Sequence, residues 1–488
     1  MREAWAACFA GVALFSSGCR IGPNYKQPSA PVTPAFKEQP PVNFKEAEAA
    51  GWKQSQPGDA YLKGRWWEVY QDPALNALEE QVSISNQNVQ LAEAQYRQAK
   101  AQVSVARSAL FPVVSTSPSI TTTGRGATSG VSGATGTNAA GTRTAFSLPF
   151  DVSWEPDIWG NLRRGVTASS ATAQSVAAAL ENAKLLYQAE LAQDYFGMHG
   201  IDAEADLLTR TAASYGEYLT LTRNRYAGGV ASDLDVAQAE SQLYGVQSEL
   251  VDLGVQRAAF EHAIAILIGK APAEVTIPAA ILTTLPPPVP VGLPSELLER
   301  RPDIAGAERS VAAANEQIGI AMAAFFPTLT LSGSLGLTGS NLANWFTWPS
   351  RVWSVGPQLA ETLFDAGRRR AVVAGEQAAY DATVAGYRQT VLTAFQQVED
   401  DLAGLRILAD ETEKTQQTVD SSNRALTVST AQYRAGTVNY LTVITAQATL
   451  LSAQRAQVEL LTRRLTTSVL LTEALGGGWD VSKLPAKP

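Results

Sequence analysis

From Arg163 to Ile268 the chain carries no proline, and Ala, Leu, Gln, Glu and Arg dominate the run. Those residues lose little by being helical, so the stretch predicts two long helices. The one clear break is RYAGGVASDLDV at Arg225 to Val236, where Gly228 and Gly229 supply the left-handed backbone that ends a helix and Ser232 or Asp233 caps the next. The first arm is about 60 residues, which at about 1.5 Å per residue makes a rod roughly 90 to 100 Å long. Few globular cores could bury such a rod, so it reads as coiled coil or as part of a tube. The second arm supplies the seam, with Leu243, Val246, Leu250, Leu253, Phe260, Ile264 and Leu267 stepping by three and four.

The hairpin occurs twice. A shift of 207 residues lays Tyr226, Gly229, Leu234, Val236 and Leu243 on Tyr433, Gly436, Leu441, Val443 and Leu450. A shift of 215 lays NQNVQLAEAQ at Asn86 on RPDIAGAERS at Arg301, and ALFPVV at Ala109 on AFFPTL at Ala324. The chain is therefore a tandem duplication of helix, Phe-Pro break, strand pair, long helix, turn and long helix. The first repeat is expected over 66–275, with helices at about 159–225 and 232–269, and the second over 301–476, with helices at about 365–433 and 439–475. A proline-rich connection at 276–300 joins them, and 477–488 form a tail.

At 488 residues the length would allow several domains, but repeats built of interleaved elements argue for one continuous body. The net charge of -8 with no basic run disfavours nucleic acid. Only two histidines and two cysteines are present, which leaves little for metal chemistry or disulfides. His199 and His262 stand alone in helical runs, Asp157, Asp194, Asp400 and Asp401 read as scattered acids, and no nucleophile motif accompanies them. The GGG at Gly476 follows a helix and lacks a lysine, so it is a chain exit and not a phosphate loop. No catalysis, metal or cofactor is expected.

The start reads as a signal peptide over 1–18: Met1-Arg2 is positive, Ala4 to Phe15 apolar, and Ser16-Ser17-Gly18 small. Cys19 follows at once, as in bacterial lipoproteins, and is the expected lipid anchor; a plain cleaved leader with a chance cysteine is the alternative. Arg20 stands where lipoproteins held at the inner membrane usually carry Asp, which by that resemblance directs the chain to the outer membrane. Prolines recur from Pro23 to Pro57, so 19–65 is an extended linker. Structure begins at GRWWEVYQDPALNALEEQ, where Trp66, Trp67 and Tyr70 suit a packed surface and Asp72-Pro73 suits a helix start.

Between the helices each half holds a strand pair, at about 113–123 and 144–154, then 327–338 and 351–361. In FSLPFDVSW, Phe146, Leu148, Phe150, Val152 and Trp154 alternate with Ser147, Pro149, Asp151 and Ser153. Leu329 to Leu337 and Trp353 to Leu359 alternate likewise. Such segments match transmembrane β-barrel strands, and the long connections Gly124 to Gly141 and Gly339 to Arg351 match external loops. A soluble sandwich is the competing reading. Four strands cannot close, and an open edge in lipid leaves backbone groups unpaired, so the barrel must be shared; three copies give twelve strands. The fold class expected is an α+β membrane protein with a long helical barrel and four strands per protomer in a common sheet.

The chain resembles the TolC family of outer-membrane channel proteins, in the lipoprotein branch that serves resistance-nodulation-division efflux pumps. The matching residues include CRIGPNYKQP at Cys19, WEPDIWGNLRR at Trp154, RYAGGVASDLDVAQAE at Arg225, LLERRPDIAGAE at Leu297, AAFFPTLTLSGSLG at Ala323 and YRAGTVNYLTVITAQ at Tyr433. They run in order along essentially the whole mature chain. The resemblance implies a homotrimer with a barrel in outer-membrane lipid, a helical tube across the periplasm and an equatorial girdle. It also implies passive conduction of small molecules delivered by an inner-membrane pump and a periplasmic adaptor. An outlet for type I protein secretion shares the architecture and is the alternative; a pore-free periplasmic scaffold would have no use for the lipid-facing alternation.

By the same resemblance, the turns carrying Gly228, Gly229 and Gly436 lie at the periplasmic tip, where adaptor hairpins dock and the bore closes. Several relatives carry acidic residues just after the second turn, where this sequence has Thr442 and Thr445. The gate expected here is Leu441 as an apolar constriction, with Asp233 and Asp235 of the first turn as the negative contribution. Helix-start residues favoured by the backbone dipole are the equally open reading of the two acids.

Overall fold

A computed structural model of the chain describes residues 20–38, 64–125, 141–282, 284–287, 300–479, 482, 484 and 485. The expected signal peptide, Cys19 and most of the proline-rich connection lie outside them. The duplication expected from sequence is drawn with equal lengths. Helix α1 (Pro73–Ser85) leads into α2 (Gln87–Ser108), and α2 has its counterpart in α5 (Pro302–Ala323), each 22 residues. Helices α3 (Asn161–Ala227) and α6 (Arg368–Arg434) are 67 residues each, and α4 (Asp233–Leu267) and α7 (Tyr440–Ala474) are 35 each. At about 1.5 Å per residue the longest span roughly 100 Å.

Short polar residues set the helix starts. Asp72 accepts from the N–H groups of Ala74 (2.9 Å) and Leu75 (3.2 Å), with Pro73 at the first helical position. Asn86 ends α1 and caps α2 through its Oδ1, while its Nδ2 donates to the Leu267 carbonyl at 2.8 Å. That bond ties the start of one helix to the end of another and leaves the buried Asn86 amide paired at both ends.

The strands are β1 (Val113–Thr116), β2 (Ser119–Arg125), β3 (Gly141–Trp154), β4 (Thr328–Gly339) and β5 (Arg351–Ala360). The run expected as one strand over 113–123 is thus two, because Ser117 and Pro118 fall between β1 and β2 and proline has no N–H for a ladder. Both pair antiparallel with β3, which pairs with β4, which pairs with β5. Directly opposed residues share a face. Thr116, Phe150, Leu335 and Trp353 form one row, with Val114, Val152 and Val355 beside it. Ser115, Asp151, Ser334 and Ser354 form the row behind. The sheet is open, with β1 and β2 at one edge and β5 at the other.

The helices keep that order. Near the sheet α2 packs on α3, α3 on α5 and α5 on α6; farther away α4 packs on α3, α3 on α7 and α7 on α6. One flank of the protomer therefore carries β1, β2, α2 and α4, and the other carries β5 and α6. The largest core lies where the two levels meet. There Trp66, Trp67 and Tyr70 lock into Phe196, Ile264 and Leu465, and the Tyr70 hydroxyl bonds Ser468 Oγ at 2.9 Å. Of the seam residues in α4, Val246, Leu253, Ile264 and Leu267 are buried, and Leu243, Leu250 and Phe260 pack at core margins.

Residues 20–38 form a strap over α5 and α6. Arg164, fully buried, donates to the carbonyls of Ile21 (2.6 Å) and Pro23 (3.1 Å) and to Glu316 (2.7 Å), and Arg20 donates to the same Glu316 oxygen at 2.7 Å. Tyr25 bonds Glu308, and the backbone N–H groups of Lys37 and Glu38 donate to Glu399 at 2.7 and 2.8 Å. A buried arginine of this kind is retained only if its charge is paired and its donors used.

Candidate functional site

At the ends of α3 and α6 each hairpin turns on a residue that only glycine adopts at low cost, Gly229 with φ 69° and Gly436 with φ 76°. Gly228, at φ -79°, donates its N–H to Asn224 and Tyr226 carbonyls and is a capping residue that does not need to be glycine for its angle. After the first turn Ser232 Oγ accepts from the Asp235 N–H at 3.2 Å, and the Asp235 carboxylate accepts from the Ser232 N–H at 2.8 Å and hydroxyl at 2.9 Å. This is a capping box, so Asp235 has a structural task beside any electrostatic one. Asp233 lies in the same first turn of α4 and is exposed, whereas Asp235 is half-buried.

After the second turn Asn439 plays the capping part, accepting from the Thr442 N–H (3.3 Å) and hydroxyl (2.9 Å), while the Thr445 hydroxyl donates to the Leu441 carbonyl at 2.9 Å. The two threonine hydroxyls are therefore committed to their own helix, and Leu441 stands free with 53% of its surface exposed. Leu441, Thr442 and Thr445 share one groove of about 820 Å³ with Ser421, Ser422 and Gln432. The structure thus brings together the three residues of the second turn and leaves the two acids on the other hairpin.

What joins the hairpins is a contact that sequence reasoning missed. The Arg225 guanidinium lies 4.6 Å from the centre of the Tyr433 ring and donates to the Arg434 carbonyl at 3.2 Å. Tyr433 packs on Tyr440 at 5.3 Å, the Tyr218 hydroxyl meets Thr430 Oγ1 at 2.9 Å, and Leu219, Ala239 and Val443 close the core beneath. Arg225 stands in a motif singled out above, but its partner is 208 residues on, and only the helix order reveals the contact.

Two other clusters correct the picture of isolated groups. His199 is not alone: its Nδ1 lies 3.0 Å from Asp202, which also accepts from Arg257 Nε (2.7 Å) and the Ala280 N–H (3.2 Å). The network fastens the segment after α4 to the helices, and no nucleophile adjoins it. Asp401 is not isolated either. Arg301 donates to Asp303, Gln397 (2.8 Å) and the Ala474 carbonyl (3.0 Å), and its charge acts on Asp401 and Glu473. Burial, reinforced by neighbouring carboxylates, pushes Asp401 and Glu473 up to about 7 despite Arg301. Burial, with Glu190 beside it, lifts Asp194 to about 6.

Among the described residues no helix is long and apolar enough to cross a membrane. The apolar row of the sheet is of another kind, since Phe150, Leu335, Trp353, Val355 and Leu359 are 50, 61, 73, 79 and 69% exposed and face nothing within the chain.

Comparison with known proteins agrees with this geometry. The family described as outer membrane efflux protein matches residues 78–270 and 293–477. The chain is similar to the probable efflux pump outer membrane protein TtgC of Pseudomonas putida, at 30% identity over 96% of this chain and 94% of that one. It is similar in structure to the outer-membrane channel OprN, with a TM-score of 0.82, 30% identity and coverage of 94% of this chain and 100% of that one. The outer membrane protein VceC of Vibrio cholerae gives a TM-score of 0.79 at 27% identity, covering 86% of this chain and 100% of that one.

Proposed function

Because the chain belongs to the outer membrane efflux protein family and is an outer-membrane efflux channel extending into the periplasm, we propose that three copies assemble into one conduit through which small toxic molecules leave the cell. The observation that carries this is the open sheet with unlike faces. One copy offers four strand positions, a large apolar row turned outward and a row of Ser, Asp and Gly behind it. Three copies supply twelve strand positions, which put the apolar rows in lipid and the polar rows around water. The same two flanks recur in the helices, so α4 of one copy would meet α6 of the next as β1 meets β5. Two copies would leave a bore too narrow for most solutes.

An inner-membrane pump of the resistance-nodulation-division class and a periplasmic adaptor are the proposed partners, with the adaptor seated on the turns at Gly228, Gly229 and Gly436. Relatives of this similarity carry efflux-pump names, which supports small-molecule export over a polypeptide outlet. In the resting conduit Leu441 forms the apolar constriction at the tip, with Thr442 and Thr445 behind it, and Asp233 and Asp235 lend negative potential. Cys19 carries lipid. The strap supports that role, since the N–H of Ile21 donates to the Trp159 carbonyl at 3.2 Å and fastens the start of the strap beside the base of the sheet. Deleting the gene should raise steady-state accumulation of a fluorescent dye such as ethidium in energised cells, with recovery on re-expression; unchanged accumulation in a host without other outlets would contradict the function.

A further inference from the structure

Residues 340–350 join β4 to β5 at the end of the sheet away from the helices. In an outer-membrane channel whose helices enter the periplasm, that end faces the cell exterior. The connection folds back over the lipid-facing side of the sheet. Trp345 packs against Phe146, a member of the lipid-facing row, with ring centres 5.5 Å apart, and its indole N–H donates to the Leu337 carbonyl at 3.2 Å. Phe346 packs on Trp345 at 4.8 Å, and Leu342, Phe346 and Trp348 are 64, 66 and 78% exposed. Such a collar of aromatic side chains suits the boundary between hydrocarbon and headgroups.

One cation belongs to the collar. Arg351 opens β5 directly opposite Leu337, and that register puts it on the same face as Trp353 and Val355. Among the described strand residues it is the one charged side chain on the lipid-facing side. Its guanidinium lies 4.0 Å from the centre of the Trp348 ring, and among the described residues no carboxylate pairs with it. A cation toward lipid is costly at the membrane midplane and nearly free at the interface, so its place at the strand end is the tolerable one. Laid flat on an indole, a guanidinium keeps its edge N–H donors available, and their fork matches two oxygens of a phosphate.

We infer that Arg351, held on Trp348 within this collar, binds a phosphate of the phosphorylated glycolipid of the outer leaflet, whose acyl chains then run down Trp353, Val355 and Leu359. The site rests on the outer-membrane placement and not on the identity of the exported solute. Charge complementarity and continuity with the lipid-facing row select this occupant over a protein partner.

The test is native mass spectrometry of the full-length channel in detergent, titrated with bisphosphorylated lipid A, with the same lipid after removal of its phosphates, and with phosphatidylglycerol. Wild type should prefer the phosphorylated lipid A roughly tenfold, the size of one charge-assisted hydrogen bond. Arg351→Gln should abolish the preference, and Arg351→Lys, which keeps charge but not the flat fork, should retain only part of it. Trp348→Ala should weaken it while leaving the charge in place. Equal binding with and without phosphate, or undiminished preference in Arg351→Gln, would overturn the site. Phosphatidylglycerol bound as tightly as lipid A would overturn the assignment to the outer leaflet. Single-channel conductance of each variant should equal that of wild type, which separates a failed lipid site from a failed channel.

Discussion

Replacing Arg225 by alanine removes the one described side chain that reaches from the first hairpin into both the ring of Tyr433 and the backbone of the second. A cation over an aromatic ring at a partly exposed site is worth about 0.5–1 kcal/mol, and one hydrogen bond to a carbonyl adds about 0.5–1.5 kcal/mol. Each protomer therefore loses about 1–2.5 kcal/mol of hairpin coupling, and a conduit of three would lose about 3–7.5 kcal/mol if its tips move together. At about 1.4 kcal/mol per factor of ten, the closed state is disfavoured by on the order of 10² to 10⁵. Ion conductance of purified channels in planar bilayers is the assay, and Arg225→Ala should convert rare openings into a mostly open record. Arg223→Ala is the control, because Arg223 pairs at 2.6 Å with Glu240 inside the first hairpin and links nothing to the second. If Arg225→Ala and Arg223→Ala give the same open probability as wild type, the contact does not hold the tip shut.

Other outcomes follow from the same geometry. Leu441→Ala should raise conductance of the purified channel, since it removes the free apolar side chain of the tip groove; an unchanged value would remove Leu441 from the constriction. Asp194, Asp401 and Glu473 have folded-state values raised to about 6, 7 and 7, above those of free carboxyls, so folding takes up protons. Their stabilising effect is complete below about pH 4 and is lost as pH rises through about 6–7, so the thermal midpoint should fall between about pH 5 and pH 8, where ordinary carboxyls have finished titrating. Asp401→Asn with Glu473→Gln should flatten that slope, and an equally steep slope in the double variant would assign it to other groups. Cys19→Ser should abolish labelling by radioactive palmitate, and persistent label would place the acyl chain elsewhere.

The long-range plan was legible because it is written in periods and repeats. Proline-free helical runs, a three-and-four seam and a 207-residue shift fixed where the helices lie, and strict alternation from Phe146 to Trp154 identified a sheet with unlike faces. Local punctuation was nearly as clear, since Asp72, Asn86 and Ser232 cap the helices whose starts they mark. Pro118 announced a weak strand, but a break into β1 and β2 also depends on where β3 offers its carbonyls. What the sequence did not carry was pairing across the bundle. Arg225 with Tyr433, Arg301 with Gln397 and the Ala474 carbonyl, and Arg164 with Glu316 each join elements far apart in the chain, and charge alone does not say which group an arginine meets. The sequence showed threonines at the second turn where relatives carry acids, but not that the Thr442 hydroxyl is spent on Asn439 and the Thr445 hydroxyl on the Leu441 carbonyl.

The most direct measurement is single-particle imaging of the detergent-extracted channel at a resolution that separates strands. A threefold particle should appear, with twelve strand positions, β5 of each copy beside β1 and β2 of the next, and an unobstructed aqueous axis above the tip. A monomer whose sheet pairs its own edges, or a threefold particle with side chains filling the axis of the barrel, would contradict the account.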